Sequence, residues 1–364
     1  MRLPIVLSLF SPVFAALINI DVGLNLPGLL GPGPGRCSKG RTSKNQACCV
    51  WFDVLDDLQE KLFDHGSCTF LTSTAQLTFH DAIAYSHTLG GNGADGSIMQ
   101  HSDIETTYVA NHGLVNIIGL QRAIAISHKV SFGDFIQFAG AVGLSNCPGA
   151  PKLEFLAGRP NSSTPAPDNL VPGPADSVTK IIERFADAGF NSDEMVDLLA
   201  SHSVAAQHGI DPSIPGAPLD STPGTFDSQF YIETLLAGTS FPGSTNSSAE
   251  ALSPIRGEFR FQSDWAIARD PRTACEWQSF ISEPSKLGEK FYTAMSKLAT
   301  TGNTRSKLTD CSDVIPTPRF IQNAPYLPPG KHRSDIQASC KNQPFPNNIQ
   351  TARGPVVSIA PVPS

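Results

Sequence analysis

The sequence contains few charged residues and no excess of basic ones. Charged side chains make up 16% of its 364 residues, and the formal net charge is −7. A negative net charge argues against nucleic acid or an anionic membrane as the natural partner, because both attract basic proteins. Beyond the N-terminal region, no stretch is long and apolar enough to cross a bilayer. We therefore expect a soluble, monomeric globular protein.

The N-terminal region has the composition of a secretory signal peptide. Arg2 precedes an apolar run over residues 5–10, and small residues at 15–16 end the segment. This pattern predicts a signal peptide over residues 1–16, which is too short to span a membrane; the alternative is a disordered apolar N-terminus. Residues 17–36 are rich in Gly and Pro and are interpreted as a propeptide or a flexible lead-in.

The cysteines and two glycosylation signals agree with export from the cell. The chain has eight cysteines, an even number that suits an oxidising compartment, although their spacing leaves the connectivity open. Asn161 and Asn246 each begin an Asn-Ser-Ser acceptor for N-linked glycans, in segments whose Pro and Ser content predicts surface loops. We therefore expect a secreted, extracellular glycoprotein with disulfide bonds.

Apolar periodicity predicts a mainly α chain. The alternation typical of strands is scarce, whereas helical spacing of apolar residues recurs. Residues 161–174 predict a connecting loop between two halves, and the Pro-rich residues from 316 onward predict an extended surface tail. The two halves are expected to form one folded unit. The predicted helices cover residues 50–65, 69–85, 115–128, 132–142, 178–186 and 192–206.

Two clusters of oxygen-bearing residues have the composition of calcium sites. Carboxylate, carbonyl and hydroxyl oxygens are the ligands that Ca²⁺ takes in proteins. The alternative for each cluster is a polar turn whose aspartates cap backbone amides. The first cluster consists of Asp81, Gly93, Asp95 and Ser97, and the second consists of Ser203, Asp220, Thr222, Thr225 and Asp227.

Two histidines lie in apolar helical segments, each directly before a candidate calcium ligand. Taken alone, such a histidine is more often a core residue with satisfied hydrogen bonds than a ligand. His80 precedes Asp81 and His202 precedes Ser203, so together they indicate two helices whose histidines face a shared cavity. This arrangement suits a haem with one axial histidine and one free catalytic histidine.

Six short motifs carry the most specific information. They are residues 77–82 (LTFHDA), 93–97 (GADGS), 139–142 (AGAV) with 146–149 (NCPG), 198–203 (LLASHS), 220–224 (DSTPG) and 262–264 (QSD). In order and spacing they resemble the class II fungal haem peroxidases, the group that contains lignin, manganese and versatile peroxidases. The resemblance covers residues 37–340 and implies a two-lobed helical fold, with haem b between a distal half (37–160) and a proximal half (175–315). Residues 341–364 would form a Pro-rich C-terminal tail.

The resemblance also implies roles for individual residues. His202 would be the axial ligand of the haem iron, with Asp264 bonded to its other nitrogen and increasing electron density at the iron. His80 would be the distal acid–base group, oriented by Asn111. The two oxygen clusters would be the distal and proximal Ca²⁺ sites, and Phe79 and Glu105 would shape the distal pocket. The implied disulfides are Cys37–Cys49, Cys48–Cys311, Cys68–Cys147 and Cys275–Cys340.

One residue at the centre of this site departs from the family pattern. Gln76 lies four residues before His80, where the family has an arginine, and residues i and i+4 share a helix face. That arginine stabilises negative charge on the departing oxygen, and losing one such donor typically costs about 10²–10³-fold in rate. Gln76 keeps an N–H donor without the charge, so we expect slow peroxide activation unless a water or another cation substitutes.

Two further oxidation sites of the family are also missing. The manganese-binding carboxylates correspond here to Thr69, Ser73 and His208, whereas Mn²⁺ prefers oxygen anions. The surface tryptophan used for bulky lignin-like donors corresponds to Asp197, which cannot hold an oxidising radical. The tryptophans that are present, interpreted as packing residues, are Trp51, Trp265 and Trp277.

The combined expectation is a peroxidase that uses hydrogen peroxide to oxidise small phenols or dyes at the haem edge. The alternative is a haem-binding protein with a peroxidase scaffold and little turnover, and Gln76 is the residue that separates the two. A third hypothesis, a calcium-binding protein without haem, would require His202 to be buried without iron.

Overall fold

The computed structural model describes a mainly helical chain, as predicted, over residues 35–68, 71–244, 247–321, 323–356 and 358–362. The predicted signal peptide, most of the lead-in, Thr69 and Asn246 lie outside these described residues. Within them, the regular structure consists of twelve α-helices, several short 3-10 segments and eight strands of two or three residues.

The α-helices fall into two groups on either side of residues 161–174, which contain neither helix nor strand. The first group is α1 (Val50–Lys61), α2 (Thr72–Ile83), α3 (Ser97–Gln100), α4 (Ser102–Glu105), α5 (Val115–His128) and α6 (Phe132–Ser145). The second group is α7 (Val178–Asp187), α8 (Ser192–Leu198), α9 (Gln229–Leu235), α10 (Gln262–Ile267), α11 (Ala274–Ser282) and α12 (Leu287–Ala299).

The strands form four small antiparallel pairs and no larger sheet within the described residues. One pair joins the two helical groups, since Leu156 lies opposite Asp310. The pairs are β1 (Gly35–Arg36) with β2 (Thr42–Ser43), β3 (Tyr85–Ser86) with β4 (Gly90–Asn92), β5 (Leu156–Ala157) with β8 (Thr309–Asp310), and β6 (Ala206–Gln207) with β7 (Ala217–Pro218).

Polar side chains cap the N-termini of three helices, α6, α7 and α8. Ser131 Oγ accepts the Asp134 N–H over 3.2 Å at the start of α6, and Ser177 has the same role at α7. At α8, the Asn191 side chain accepts from the Glu194 N–H over 2.8 Å, and the Glu194 carboxylate accepts from the Asn191 N–H over 2.9 Å. This reciprocal capping box fixes the start of the helix that leads to His202.

Two glycines allow α2, the helix that carries His80, to pack closely on α6. A Cβ at Gly140 would lie 2.5 Å from Thr78 Oγ1, and one at Gly143 would lie 2.7 Å from Leu71 Cδ1. Thr78 Oγ1 uses this proximity to donate to the Ile136 carbonyl of α6 over 3.1 Å. Any side chain at these glycines would therefore force α2 and its histidine away from α6.

The tryptophans pack as the sequence analysis proposed. Trp51 is 3% exposed and lies 4.8 Å from the Phe138 ring. Trp277 is inaccessible to solvent, and its indole N–H donates to the Tyr231 carbonyl over 2.9 Å. Trp265 is half-buried beneath an arginine side chain. These rings therefore contribute packing area, and Trp277 adds a buried hydrogen bond.

Four disulfides are formed, and they are the same four pairs that the resemblance implies. The Cys48–Cys311 bridge ties the start of α1 to a point 263 residues later in the chain. The pairs are Cys37–Cys49, Cys48–Cys311, Cys68–Cys147 and Cys275–Cys340. Among the described residues no cysteine remains free.

The C-terminal segment runs along the helical body in extended form. Its contacts include the bridge of Ile336 with Leu236 and the pairing of Leu327 with Thr351. Leu327 is 2% exposed, so this segment covers part of the core. In the part of the chain that the structure describes, no helix has the length and apolarity needed to cross a membrane.

Several predicted helix ends were wrong. The helix predicted for 50–65 ends at Lys61, because Asp64 and His65 take positive φ values of 42° and 58°. The helix predicted for 69–85 spans Thr72–Ile83. The one predicted for 192–206 stops as an α-helix at Leu198 and continues as the 3-10 segment Leu199–Val204.

Candidate active site

The histidine on α2 is buried and held by an amide. His80 is 8% exposed, and its Nδ1 lies 2.8 Å from Asn111 Oδ1. The Asn111 amide is oriented in turn, because its Nδ2 donates to the Glu105 carbonyl over 2.9 Å. An amide oxygen can only accept, so Nδ1 carries the proton and Nε2 of the neutral ring keeps a free lone pair.

Burial decides the charge of this histidine. Removal from water lowers the pKa of His80 to about 4, although the hydrogen bond with Asn111 acts in the opposite direction. The ring is therefore neutral at the pH of most extracellular media. A neutral imidazole with a free Nε2 can accept a proton from a molecule bound beside it.

Glu105 and Phe79, which the resemblance also singles out, lie next to the His80–Asn111 pair. Glu105 is 2% exposed, and its Oε1 accepts the Ala166 N–H over 3.1 Å, which ties α4 to the loop between the helical groups. The half-buried Phe79 ring lies 6.0 Å from the Phe185 ring in a stacked arrangement. It also meets the His80 ring edge-on at 6.0 Å. Phe79 therefore packs beside His80, and the pocket roles that the resemblance gives Phe79 and Glu105 stay predictions.

Gln76 lies one helical turn before His80, and its side chain is exposed. Among the described residues, no lysine or arginine forms a hydrogen bond or an ion pair with either of them. The face of α2 that carries both side chains therefore offers a neutral amide where the resembled family has a guanidinium.

The second histidine is held by a carboxylate. His202 lies in the 3-10 segment that continues α8, and its Nδ1 lies 2.9 Å from Asp264 Oδ2 in the first turn of α10. The Asp264 side chain is 3% exposed. A carboxylate accepts the Nδ1 proton, so Nε2 of His202 is left with a lone pair that can bind a metal.

Two phenylalanines around His202 escaped sequence analysis. The Phe230 ring lies 5.4 Å from the imidazole and the Phe261 ring lies 5.8 Å from it. They leave the imidazole side chain 27% exposed and fix its plane. Phe261 directly precedes the 262–264 motif, a sequence signal that could have identified it, whereas Phe230 carries no such signal.

A cavity separates the two histidine-bearing segments. Its empty space, including the part open to solvent, is about 430 Å³. Ala75 and Phe79 line it on α2, and Leu198 and Ser201 line it on the opposite side. The lining of this space is mainly apolar, as a flat macrocycle such as haem would require, but neither His80 nor His202 is among the lining residues.

The first oxygen cluster consists of buried oxygen atoms, one of which has no hydrogen-bond partner within the described ranges. Asp81 is inaccessible to solvent; its Oδ2 accepts the Gly96 N–H over 3.1 Å, and its Oδ1 has no hydrogen-bond partner among the described residues. Asp95 is 6% exposed, Ser97 is 2% exposed, and the Gly93 carbonyl is adjacent, accepting the Asp95 N–H. Burial raises the pKa of Asp81, and the Asp95 carboxylate raises it further. These residues fit Ca²⁺, which would offset both effects.

The second oxygen cluster has the same character. Asp220 is 1% exposed, and its Oδ2 has no hydrogen-bond partner in the described part of the chain. Thr222 Oγ1 donates to Asp227 Oδ1 over 3.1 Å, and the Thr225 N–H donates to the Thr222 carbonyl. The Ser203 side chain is buried next to His202 in sequence. Burial raises the pKa of Asp220, as do neighbouring carboxylates, so this cluster also fits Ca²⁺.

The remaining predicted positions divide between surface and interior. Asn161 is exposed, as a glycan acceptor must be. Ser73 and His208 are half-buried, and burial lowers the pKa of His208. Asp197, which corresponds to a surface position of the resembled family, is 7% exposed and lies inside the helical packing.

Comparison with known proteins places the chain in a family. A family model described as peroxidase matches residues 54–283, and one described as fungal peroxidase extension region matches residues 286–364. The chain is 51% identical to a peroxidase of Arthromyces ramosus, covering 98% of this chain and 100% of that protein. It is 48% identical to versatile peroxidase VPS1 of Pleurotus eryngii, covering 96% and 99%. Identity to ligninase H2 of Phanerodontia chrysosporium is also 48%, with 90% of each chain covered.

These matches extend over both helical groups and the C-terminal segment, so they concern the whole fold and not one motif. Haem and calcium are the cofactors of this family in general, and haem peroxidase activity is the function that the named relatives support. The chain belongs to the fungal class II peroxidases, the family of the ligninases and the manganese and versatile peroxidases.

Proposed function

We propose that this peroxidase uses hydrogen peroxide to oxidise small phenols or dyes at the haem edge and that it activates peroxide slowly. The observation that supports it is the contrast between the two histidines. His80 is bonded to the neutral amide of Asn111, whereas His202 is bonded to the carboxylate of Asp264. One ring is thus prepared to exchange a proton and the other to bind iron.

On the proximal side, His202 would hold haem b through Nε2. Bound haem iron supplies the redox chemistry that cleaves the peroxide bond and withdraws electrons from the donor. Asp264 would keep the Nδ1 proton of His202 polarised and thereby increase the basicity of Nε2. Two Ca²⁺ ions, at the Asp81 cluster and the Asp220 cluster, would brace the segments that carry the two histidines.

On the distal side, His80 would manage the proton of hydrogen peroxide. Nε2 accepts a proton from one peroxide oxygen and returns it to the other, which leaves as water. Asn111 holds the ring so that Nδ1 keeps its own proton throughout. Gln76 would donate an N–H to the departing oxygen, but without a charge to stabilise the negative charge that develops there.

Substitution of Gln76 by arginine tests this role. In stopped-flow absorbance of the haem-loaded, calcium-replete protein, Gln76→Arg should react with hydrogen peroxide about 10²–10³-fold faster than the natural protein. Gln100→Arg is the matched control, because Gln100 is exposed at the end of α3 and adds the same charge elsewhere. A Gln76→Arg protein that reacts no faster would refute the proposal that the missing charge limits the reaction.

The donors are proposed to be small aromatic molecules. Ser73 and His208 provide no oxygen anions for Mn²⁺, and Asp197 provides no oxidisable ring. Steady-state turnover with a phenol but none with Mn²⁺ is the expected result. Efficient Mn²⁺ oxidation would contradict this part of the proposal.

A second candidate function is haem binding with little peroxidase turnover, and the neutral side chain of Gln76 favours it. The same stopped-flow experiment separates the two. Loss of Soret absorbance on addition of peroxide, followed by its return with a phenol, supports a working peroxidase. An intact Soret band that peroxide leaves unchanged supports the haem-binding function.

Secretion is proposed for the same protein. Four disulfides in the described residues suit an oxidising compartment, and the exposed Asn161 suits glycan attachment there. Expression in a fungal host and recovery of glycosylated protein from the medium, with a mass shift lost in Asn161→Gln, is the corresponding test.

A further inference from the structure

Three carboxyl groups and one lysine meet where α8 packs against α11 and α12. Asp193 and Asp197 belong to α8, Glu276 to α11 and Lys290 to α12. Asp197 is 7% exposed and its carboxyl group lies within hydrogen-bonding reach of the Glu276 carboxyl group, while its Oδ1 has no partner in the described residues. Lys290 Nζ forms an ion pair with Glu276.

This cluster requires a proton. Two carboxyl groups can share a hydrogen bond only when one of them is protonated, because ionised carboxylates have no donor. Burial raises the pKa of Asp197 to about 8, and the negative charge of Glu276 raises it further, while Lys290 acts in the opposite direction. Glu276 is paired with Lys290, so the proton resides on Asp197. Asp193 adds a further negative charge at the edge of the cluster.

The other charged and titratable groups around α8 do not neutralise Asp197. Glu194 is engaged by Lys297 of α12, with 2.6 Å between Oε2 and Nζ. The Tyr231 hydroxyl of α9 donates to the Val196 carbonyl over 2.9 Å. These contacts hold α8 from two further directions and leave the Asp197–Glu276 bond as its polar link to α11.

This link is mechanically close to the proximal histidine. α8 passes without interruption into the 3-10 segment that carries His202, five residues after Asp197. Phe230, which contacts the His202 ring, is the neighbour of Tyr231 on α9. A shift of α8 relative to α11 would therefore change the distance between His202 Nδ1 and Asp264 Oδ2.

We propose that Asp197 is a positioning residue of the proximal side: the proton it shares with Glu276 holds α8 against α11, and loss of that proton at alkaline pH displaces His202 relative to Asp264. The proposal rests on the role of His202 as iron ligand given above. It adds a buried acid–acid contact that links the pH of the medium to the geometry of the proximal ligand.

The stability consequence has a defined sign. Because the pKa of Asp197 is raised in the folded state, its contribution to stability is fully present below the pKa of an unfolded aspartate, about 3.9. That contribution is lost as the pH rises through about 8, the folded-state value. The natural protein should accordingly lose thermal stability over this interval.

The experiment uses the haem-loaded, calcium-replete protein and its Asp197→Asn variant, between about pH 5 and about pH 9. Asparagine keeps the donor to Glu276 but cannot titrate. The natural protein should show a Tm that falls from about pH 5 and levels off above about pH 8, and a change in the Soret and charge-transfer bands with a midpoint near pH 8. Asp197→Asn should lose the spectral change and flatten the Tm profile. Glu289→Gln, an exposed change of the same charge on α12, should behave as the natural protein.

Each outcome decides between alternatives. Asp197→Asn with an unchanged alkaline spectral transition would overturn the proposal, and a flattened Tm profile with that transition intact would contradict the coupling to His202. If the variant does not fold, infrared spectroscopy of the natural protein replaces it. A component of the protonated-carboxyl C=O stretch should be lost between about pH 7 and about pH 9; a C=O region that does not change over this interval overturns the shared proton. A natural protein that never acquires a Soret band would instead refute the proposed function, while the Tm and infrared measurements would still report on Asp197.

Discussion

The two helical groups each hold a histidine side chain, in two different electrostatic settings. His80 meets an amide oxygen and is buried, which keeps its ring neutral and weakly basic. His202 meets the Asp264 carboxylate, which draws its Nδ1 proton away and leaves Nε2 rich in electron density. In the proposed function, the partner of Nδ1, and not the histidine itself, would assign one ring to proton transfer and the other to iron binding.

The same comparison exposes an asymmetry in charge. The proximal side keeps the family's carboxylate, so both the proposed iron ligand, His202, and its hydrogen-bond acceptor, Asp264, are present. The distal side has Gln76 where the family has an arginine. It therefore keeps the proposed proton-transfer group, His80, but lacks the positive charge that would stabilise the departing oxygen. Slow peroxide activation beside normal haem binding is therefore the combination that this molecule should display.

Removal of the distal base should have the largest effect. In His80→Leu, the rate of reaction with hydrogen peroxide should fall about 10²–10⁴-fold, because no group remains to move the peroxide proton. Stopped-flow absorbance measures the rate, and haem content should stay unchanged. His112→Leu, at an exposed position, is the control. A loss smaller than tenfold would mean that the distal histidine is already ineffective beside Gln76.

Neutralising the proximal partner should have a smaller effect of a different kind. Asp264→Asn should reduce haem affinity or activity about 10–100-fold and raise the reduction potential of the iron, because the amide no longer increases the basicity of Nε2. Spectroelectrochemistry measures the potential. Asp57→Asn, far along the chain on α1, controls for loss of one negative charge. An unchanged potential would show that the His202–Asp264 bond does not act as proposed.

The local sequence predicted helix ends best where the flanking residues themselves end the helix. The helix over 115–128 was predicted with both ends right, since polar turns flank it and Lys129 adopts a left-handed φ of 56° that ends it. The end of α8 was missed because the passage from α-helix to the 3-10 segment depends on tertiary packing around His202. Periodicity alone does not encode such a change.

The site shows the same division between local and distant information. The two histidines and most of the candidate calcium ligands lie in short motifs, so their neighbourhood was predictable. The residues that define their chemistry are distant: Asn111 is 31 residues from His80, and Asp264 is 62 residues from His202. Resemblance to a family supplied those partners. The resemblance could not predict that Asp197 is buried, because the family has a surface tryptophan at this position.

The smallest expected effect is the pH dependence of the reaction with peroxide, which reports the pKa of His80. Since the pKa of His80 is lowered to about 4, the neutral base is present above that pH and is lost as the pH falls through it. The rate constant should be level from about pH 7 to about pH 5, fall twofold near pH 4 and about tenfold at pH 3. Asn111→Val should move this acid limb to lower pH, because the bond it removes raises the pKa of His80. Rapid pH-jump stopped-flow, which limits acid exposure, measures the profile. An acid limb centred near 6.5, the value of an unperturbed histidine, would show that the distal ring is hydrated and that the contrast with His202 is weaker than the structure indicates.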